Sequence, residues 1–126
     1  LIRLKRIYDA PEKTDGERYL VDRLWPRGVT RQAARLTDWI REIGPSDELR
    51  KWFGHDPERW DEFKKRYMLE LAAEQKQTYL DFLAARAAEK TVTLLFGSKD
   101  VERNNAVALK EALEERAKRD SSENAG

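Results

Sequence analysis

The run Thr91-Val92-Thr93-Leu94-Leu95-Phe96 is almost continuously apolar and rich in β-formers, and a strand of that composition belongs in the middle of a covered sheet. It comes after a long helical stretch and before another helix, which is the order of a crossover connection in a parallel sheet. Two more β-like runs, Leu1 to Tyr8 and Glu17 to Leu24, lie near the start, the first alternating Ile2 and Leu4 with Arg3 and Lys5. They are joined by Asp9 to Gly16, whose Pro11 and Gly16 are turn signals and fit either a hairpin or a surface loop. The expected class is α/β: a small parallel or mixed sheet of about three to four strands covered by helices, with a Rossmann-like three-layer tendency.

The helices announce themselves by their caps. Asp56-Pro57-Glu58 supplies an N-cap, a proline at the first helical position and an acidic first turn, followed by Trp60, Phe63, Tyr67 and Leu71 at helical spacing. A second amphipathic stretch spans about Gln75 to Ala88. A last one runs from about Val101 to Lys118 with Ala106, Leu109, Leu113 and Ala117 on one face. Shorter helical pieces are expected at Thr30 to Ile43 and at Asp47 to Trp52, the latter capped by Ser46. One domain over residues 1–119 and a disordered tail at 120–126 complete the organisation.

Composition sets limits on function. Twenty-five Lys plus Arg against 24 Asp plus Glu leave a net charge of +1, so no global field draws the chain to nucleic acid or to a membrane. There is no cysteine and one histidine, which removes thiolate chemistry and a protein-held transition-metal set. A Mg²⁺ ion held by carboxylates stays open, and the pattern names no cofactor. No apolar run reaches membrane-spanning length and no signal-peptide core is present, so the expected location is cytoplasmic.

In parallel sheets ligands gather beyond the carboxyl ends of the strands, which turns attention to Asp22 to Gly28 and Gly97 to Asn105. In the first segment Arg23 and Arg27 suit bidentate binding of a phosphate or carboxylate, Asp22 suits general-base work, and Trp25 offers a stacking face. The alternative is an Asp22–Arg ion pair that fixes the loop, with Trp25 in the core. In the second, Ser98, Lys99 and Asn105 are ligand candidates beside a helix start, while Asp100 is expected to cap the final helix. The lone His55, just ahead of the Asp56 cap, fits either acid–base work or a turn-stabilising role. The Lys64-Lys65-Arg66 run reads as a solvated helix face.

These segments resemble the YeaO-like family of bacterial proteins, a domain of unknown function. The likeness rests on Lys5 to Asp9, on Tyr19-Leu20-Val21-Asp22-Arg23-Leu24-Trp25-Pro26-Arg27-Gly28, on Pro45 to Pro57, and on Val92 to Phe96 with Lys99-Asp100 and Asn104-Asn105-Ala106. It spans about residues 2 to 115 and implies a compact α/β fold, but it names no substrate. Family members often carry a histidine ahead of the asparagine pair where this chain has Arg103, which weakens a metal or proton relay shared with His55. The leading expectation is a cleft at the strand ends in which Asp22, Arg23, Trp25, Arg27, His55 and Lys99 hold an anionic, phosphate-bearing small ligand, with a hydrolase or transferase reaction conceivable. Two alternatives stand beside it. One is a module binding nucleic acid or a regulatory partner through the Arg-Trp-Pro-Arg loop and Lys64 to Arg66; the other is a structural or interaction protein.

Overall fold

The computed structural model describes the backbone of residues 1–125 and the side chains of residues 1–122. The expected tail at 120–126 therefore lies partly outside the described residues. Four strands, β1 (Ile2–Arg6), β2 (Glu17–Leu20), β3 (Asp38–Trp39) and β4 (Val92–Phe96), form one sheet in the order β1-β4-β2-β3. Every neighbouring pair is parallel, with Leu4 opposite Leu94 and Tyr19 opposite Leu94 on the other side. β4, like β2, has a partner on each edge, and a layer covers each of its faces, which is why its residues are all buried.

Alternation along the strands separates two cores. Tyr19, Val21, Val92, Leu94 and Phe96 point to one face, the front, and pack on α2 (Asp47–Phe53), α3 (Trp60–Leu71), α4 (Glu74–Glu89) and α5 (Asn105–Ala125). Ile7, Leu20 and Leu95 point to the back and meet only Ala34 of the one-turn α1 (Arg31–Ala34), with Trp25, Val29, Leu36 and Trp39 around them. The rest of the back is covered by the β1–β2 connection. Because β4 lies between β1 and β2, that connection is a surface loop and not a hairpin; it returns along the back face through a 3₁₀ turn at Lys13–Asp15.

Polar groups on this face are paired: Lys5 and Arg18 both donate to Asp15, Arg18 also to the Ala34 carbonyl, and the Thr93 hydroxyl donates to the Asp15 carbonyl. Burial raises the Asp15 carboxyl, but the Glu12 N–H, Lys5 and Arg18 together hold it below the usual carboxylate value. Gly16 ends the connection at φ 66°, where a Cβ would stand 2.2 Å from the Thr91 carbonyl oxygen. Only glycine suits that close approach.

Two local expectations are corrected. Thr30 to Ile43 does not continue as helix: Arg35 adopts the left-handed conformation after α1, the edge strand β3 follows, and a 3₁₀ turn occupies Arg41–Ile43. The final helix begins at Asn105, and its cap is the Asn104 side chain, which accepts from Val107 N–H at 3.0 Å. Asp100 instead caps the preceding turn, accepting from Glu102 and Arg103 N–H. Ser46 caps α2 as its sequence implies, accepting from Leu49 N–H. Among the described residues no helix is long and apolar enough to cross a membrane.

Candidate functional site

The connection after β2 leaves toward α1 on the back, whereas the one after the adjacent β4 leaves toward α5 on the front. Neighbouring strands whose connections part in this way open a crevice at their carboxyl ends. A cavity of about 790 Å³ lies there, walled by Asp22 to Pro26 from β2, Gly97 to Asp100 from β4, Arg50 to His55 around the end of α2, and Asn104 and Asn105 at the start of α5. Its size suits a small metabolite.

Seven residues singled out in the sequence converge here: Asp22, Arg23, Trp25, His55, Ser98, Lys99 and Asn105. Arg27 does not. Its side chain is exposed outside the cavity, and its carbonyl accepts the Tyr8 hydroxyl at 3.0 Å. Three further cavity residues, Tyr8, Arg50 and Lys51, carry polar groups that sequence reasoning did not select.

Asp22 forms no ion pair among the described residues, so the pairing with a neighbouring arginine does not occur. One carboxylate oxygen accepts the Gly97 N–H at 2.9 Å, while Oδ1 is shielded from solvent without a hydrogen-bond partner among the described residues. Burial pushes its carboxyl above the ordinary value, against the Gly97 N–H, the Asn105 amide and the nearby His55. Arg23 is tied by Nε to the Pro45 carbonyl at 2.8 Å and by an Nη to Gly44 at 3.0 Å. Gly44 lets the two backbones lie close, since a Cβ there would fall 2.8 Å from the Arg23 backbone nitrogen. Arg50 reaches Asp47 at 3.6 Å, yet its Nε is buried and unpartnered.

The remaining members are arranged around these. Arg6 donates to the Ser98 and Gly97 carbonyls and holds the turn after β4. The Ser98 hydroxyl is engaged with the backbone of Asp100, donating to its carbonyl and accepting from its N–H. Asn105 donates to the Val21 carbonyl at 3.0 Å, which locks α5 to the end of β2. The Trp25 indole N–H is committed to the Val29 carbonyl at 2.7 Å, so this ring offers a face and no donor. His55, exposed at φ 58°, follows the left-handed Gly54 that ends α2. Among the described residues no group of three or more His, Cys, Asp or Glu is placed to hold a metal ion.

Comparison with known proteins agrees with this layout in giving a family and no reaction. Residues 1–126 match the family model described as the inactive DUF488-N3 subclade. An uncharacterized Escherichia coli protein, YeaO, is 40% identical over 112 residues, covering 89% of this chain and 96% of the relative. Uncharacterized proteins of Mycobacterium tuberculosis and Mycobacterium bovis are 38% identical over 112 residues, covering 89% of this chain and 92% of each relative. No solved structure matches the chain. With a match of that extent and relatives at that identity, the chain belongs to the inactive DUF488-N3 subclade, a YeaO-like domain of unknown function.

Proposed function

We propose that the crevice binds a small anionic, phosphate-bearing ligand and that the chain acts as a binding domain without turnover. The observation that carries this reading is that two residues of one cavity wall, Asp22 and Arg50, each hold a buried polar atom, Oδ1 and Nε, without a hydrogen-bond partner among the described residues. A buried donor or acceptor left unmade costs about 1–3 kcal/mol, and a ligand that draws either atom into a hydrogen bond removes its share of that cost. Cationic Arg23, Arg50, Lys51 and Lys99 line the same walls, while Asp100 is balanced by Arg103. Burial raises the Asp22 carboxyl above its ordinary value, which eases uptake of a proton as an anion binds, and the protonated group would donate to a phosphate oxygen in place of repelling it.

Catalysis has weaker support. Neither side chain of a Ser98–His55 couple is oriented for it: the Ser98 hydroxyl is engaged with Asp100, and no hydrogen bond orients His55 among the described residues. The family's description as inactive favours the same reading. The second half of the nucleic-acid alternative is weakened, because Lys64 pairs with Glu111 and Arg66 pairs with Glu62 and stacks on Trp52, which leaves Lys65 of that run without an ion pair among the described residues.

Thermal unfolding in inorganic phosphate, pyrophosphate or adenosine monophosphate tests the proposal. A ligand present at about 100 times its Kd adds about 2.7 kcal/mol to apparent stability, a rise of several degrees in Tm. That rise is expected in the wild type and in Arg27→Ala, whose side chain lies outside the crevice, and is expected to shrink strongly in Arg50→Ala. Equal rises in Arg50→Ala and wild type, or none with any of the three compounds, would reject the site.

A further inference from the structure

The same loop that contributes Trp25 to the crevice carries a second concentration of charge on the outside of the molecule. From residue 23 to residue 37 the sequence holds Arg23, Arg27, Arg31 and Arg35 and no acid, in a chain of net charge +1. Arg27, Arg31, Arg35 and Arg41 are all exposed. None of their guanidinium groups enters an ion pair or a hydrogen bond among the described residues. The nearest acids in sequence are Asp22, inside the crevice, and Asp38 and Glu42, beside Trp39 and Arg41; the Asp38 carboxylate accepts the Trp39 N–H.

These charges are organised around two fixed indoles. Trp25 and Trp39 meet edge to face with ring centres 5.3 Å apart, and both indole N–H groups are anchored, to the Val29 and Asp22 carbonyls. The Arg31 guanidinium lies 4.2 Å from the Trp25 ring centre and 5.1 Å from that of Trp39, and Arg41 lies 4.9 Å from Trp39. Stacking on a ring holds a guanidinium flat and leaves its N–H edge toward solvent. We infer that this arginine–tryptophan surface, formed by the loop after β2, α1 and β3, binds single-stranded nucleic acid.

Three features choose that partner. Every cation between residues 23 and 50 is an arginine, and the guanidinium fork matches a phosphodiester in a way the lysine ammonium does not. Planar guanidinium and indole faces stack on unpaired bases irrespective of sequence, a surface that an acidic peptide does not use. A duplex fits less well, since α1 has only four residues and, among the described residues, no other helix stands on this surface to enter a groove.

The test is fluorescence anisotropy of the whole chain with a labelled oligothymidylate of about a dozen nucleotides over a range of salt concentrations. Binding is expected, with log affinity falling by about 0.7 per unit of log salt for each phosphate neutralised. Arg31→Ala with Arg41→Ala is expected to reduce that slope by about 1.4 and to weaken binding about tenfold or more at low salt. Arg27→Ala with Arg35→Ala changes only exposed, unpaired groups, which keeps the test informative should the first pair unfold; a similar loss of slope is expected. Arg50→Ala, in the crevice, is expected to bind the oligonucleotide like the wild type, so failure here and failure of the small-ligand reading are separate results. The inference is overturned by absence of binding at low salt, by unchanged slopes in both arginine pairs, or by equal affinity for a duplex of the same length or for polyglutamate.

Discussion

Asp22 shows how one side chain can oppose stability where a ligand is to be held. Asp22 and Arg23 are adjacent in sequence and line one crevice but do not pair: the arginine is bound by the Pro45 and Gly44 carbonyls, and one carboxylate oxygen has no partner among the described residues. The sign of its pH effect follows. A carboxyl whose folded pKa is raised binds more protons folded than unfolded in the window above 3.8, so its contribution makes the fold less stable as pH rises through that window. Asp22→Asn keeps an oxygen for the Gly97 N–H and removes the charge. Its Tm at pH 7 is expected to rise by a few degrees, about 1 kcal/mol, with less dependence on pH between 4 and 7 in calorimetry. A fall in Tm would show that the carboxylate is already compensated.

Arg50 teaches the complementary lesson about legibility. As a charged residue on a short amphipathic helix it reads as solvated, but it sits next to the buried Leu49 and one turn ahead of the buried Phe53. That position on the apolar stripe is the signal by which it could have been found.

At the scale of elements, what could be read from the sequence was whatever local rules dictate. β4 was evident from its apolar run, α3 from Asp56-Pro57 ahead of it, and α2 from Ser46. What stayed hidden depends on partners distant in the chain. β3 is two residues long and exists because Asp38 and Trp39 pair with Tyr19 and Leu20, while Trp39 anchors on the Asp22 carbonyl. Its residues carry no periodicity of their own, so they blended into the helical pieces on either side.

The β1–β2 connection is a second such case. Its course along the back face is fixed by Arg18 and Lys5 closing on Asp15 and by Thr93 closing on the Asp15 backbone. Removing Arg18 leaves Asp15 paired with Lys5 and the Glu12 N–H but takes away a buried charged hydrogen bond and unpairs the Ala34 carbonyl. Arg18→Ala is therefore expected to lose about 2–3 kcal/mol in urea unfolding. A loss below about 1 kcal/mol would mean the connection is held by other contacts.

For the whole molecule, the crevice follows from strand order. The sequence supported a parallel sheet with ligands beyond its carboxyl ends, and the residues named there converge, Arg27 excepted. The central position of β4, which makes β4 and β2 neighbours with connections on opposite faces, rests on pairings more than 70 residues apart in sequence. No local pattern encodes it. That adjacency brings Gly97 to Asp22 and seats Arg50 opposite them. The near-zero net charge hides an uneven distribution, with cations gathered in the crevice and, without ion pairs among the described residues, on the arginine–tryptophan surface.

The most direct measurement of the central claim is a two-dimensional ¹H–¹⁵N spectrum recorded during titration with pyrophosphate. Saturable shifts are expected at the amides of Gly97, Ser98, His55 and Asn105 and at the Arg50 Nε–H, with Glu17 and Val92 at the opposite end of the sheet unmoved. Saturation without movement of Gly97 and Arg50, or shifts centred on another surface, would contradict the account.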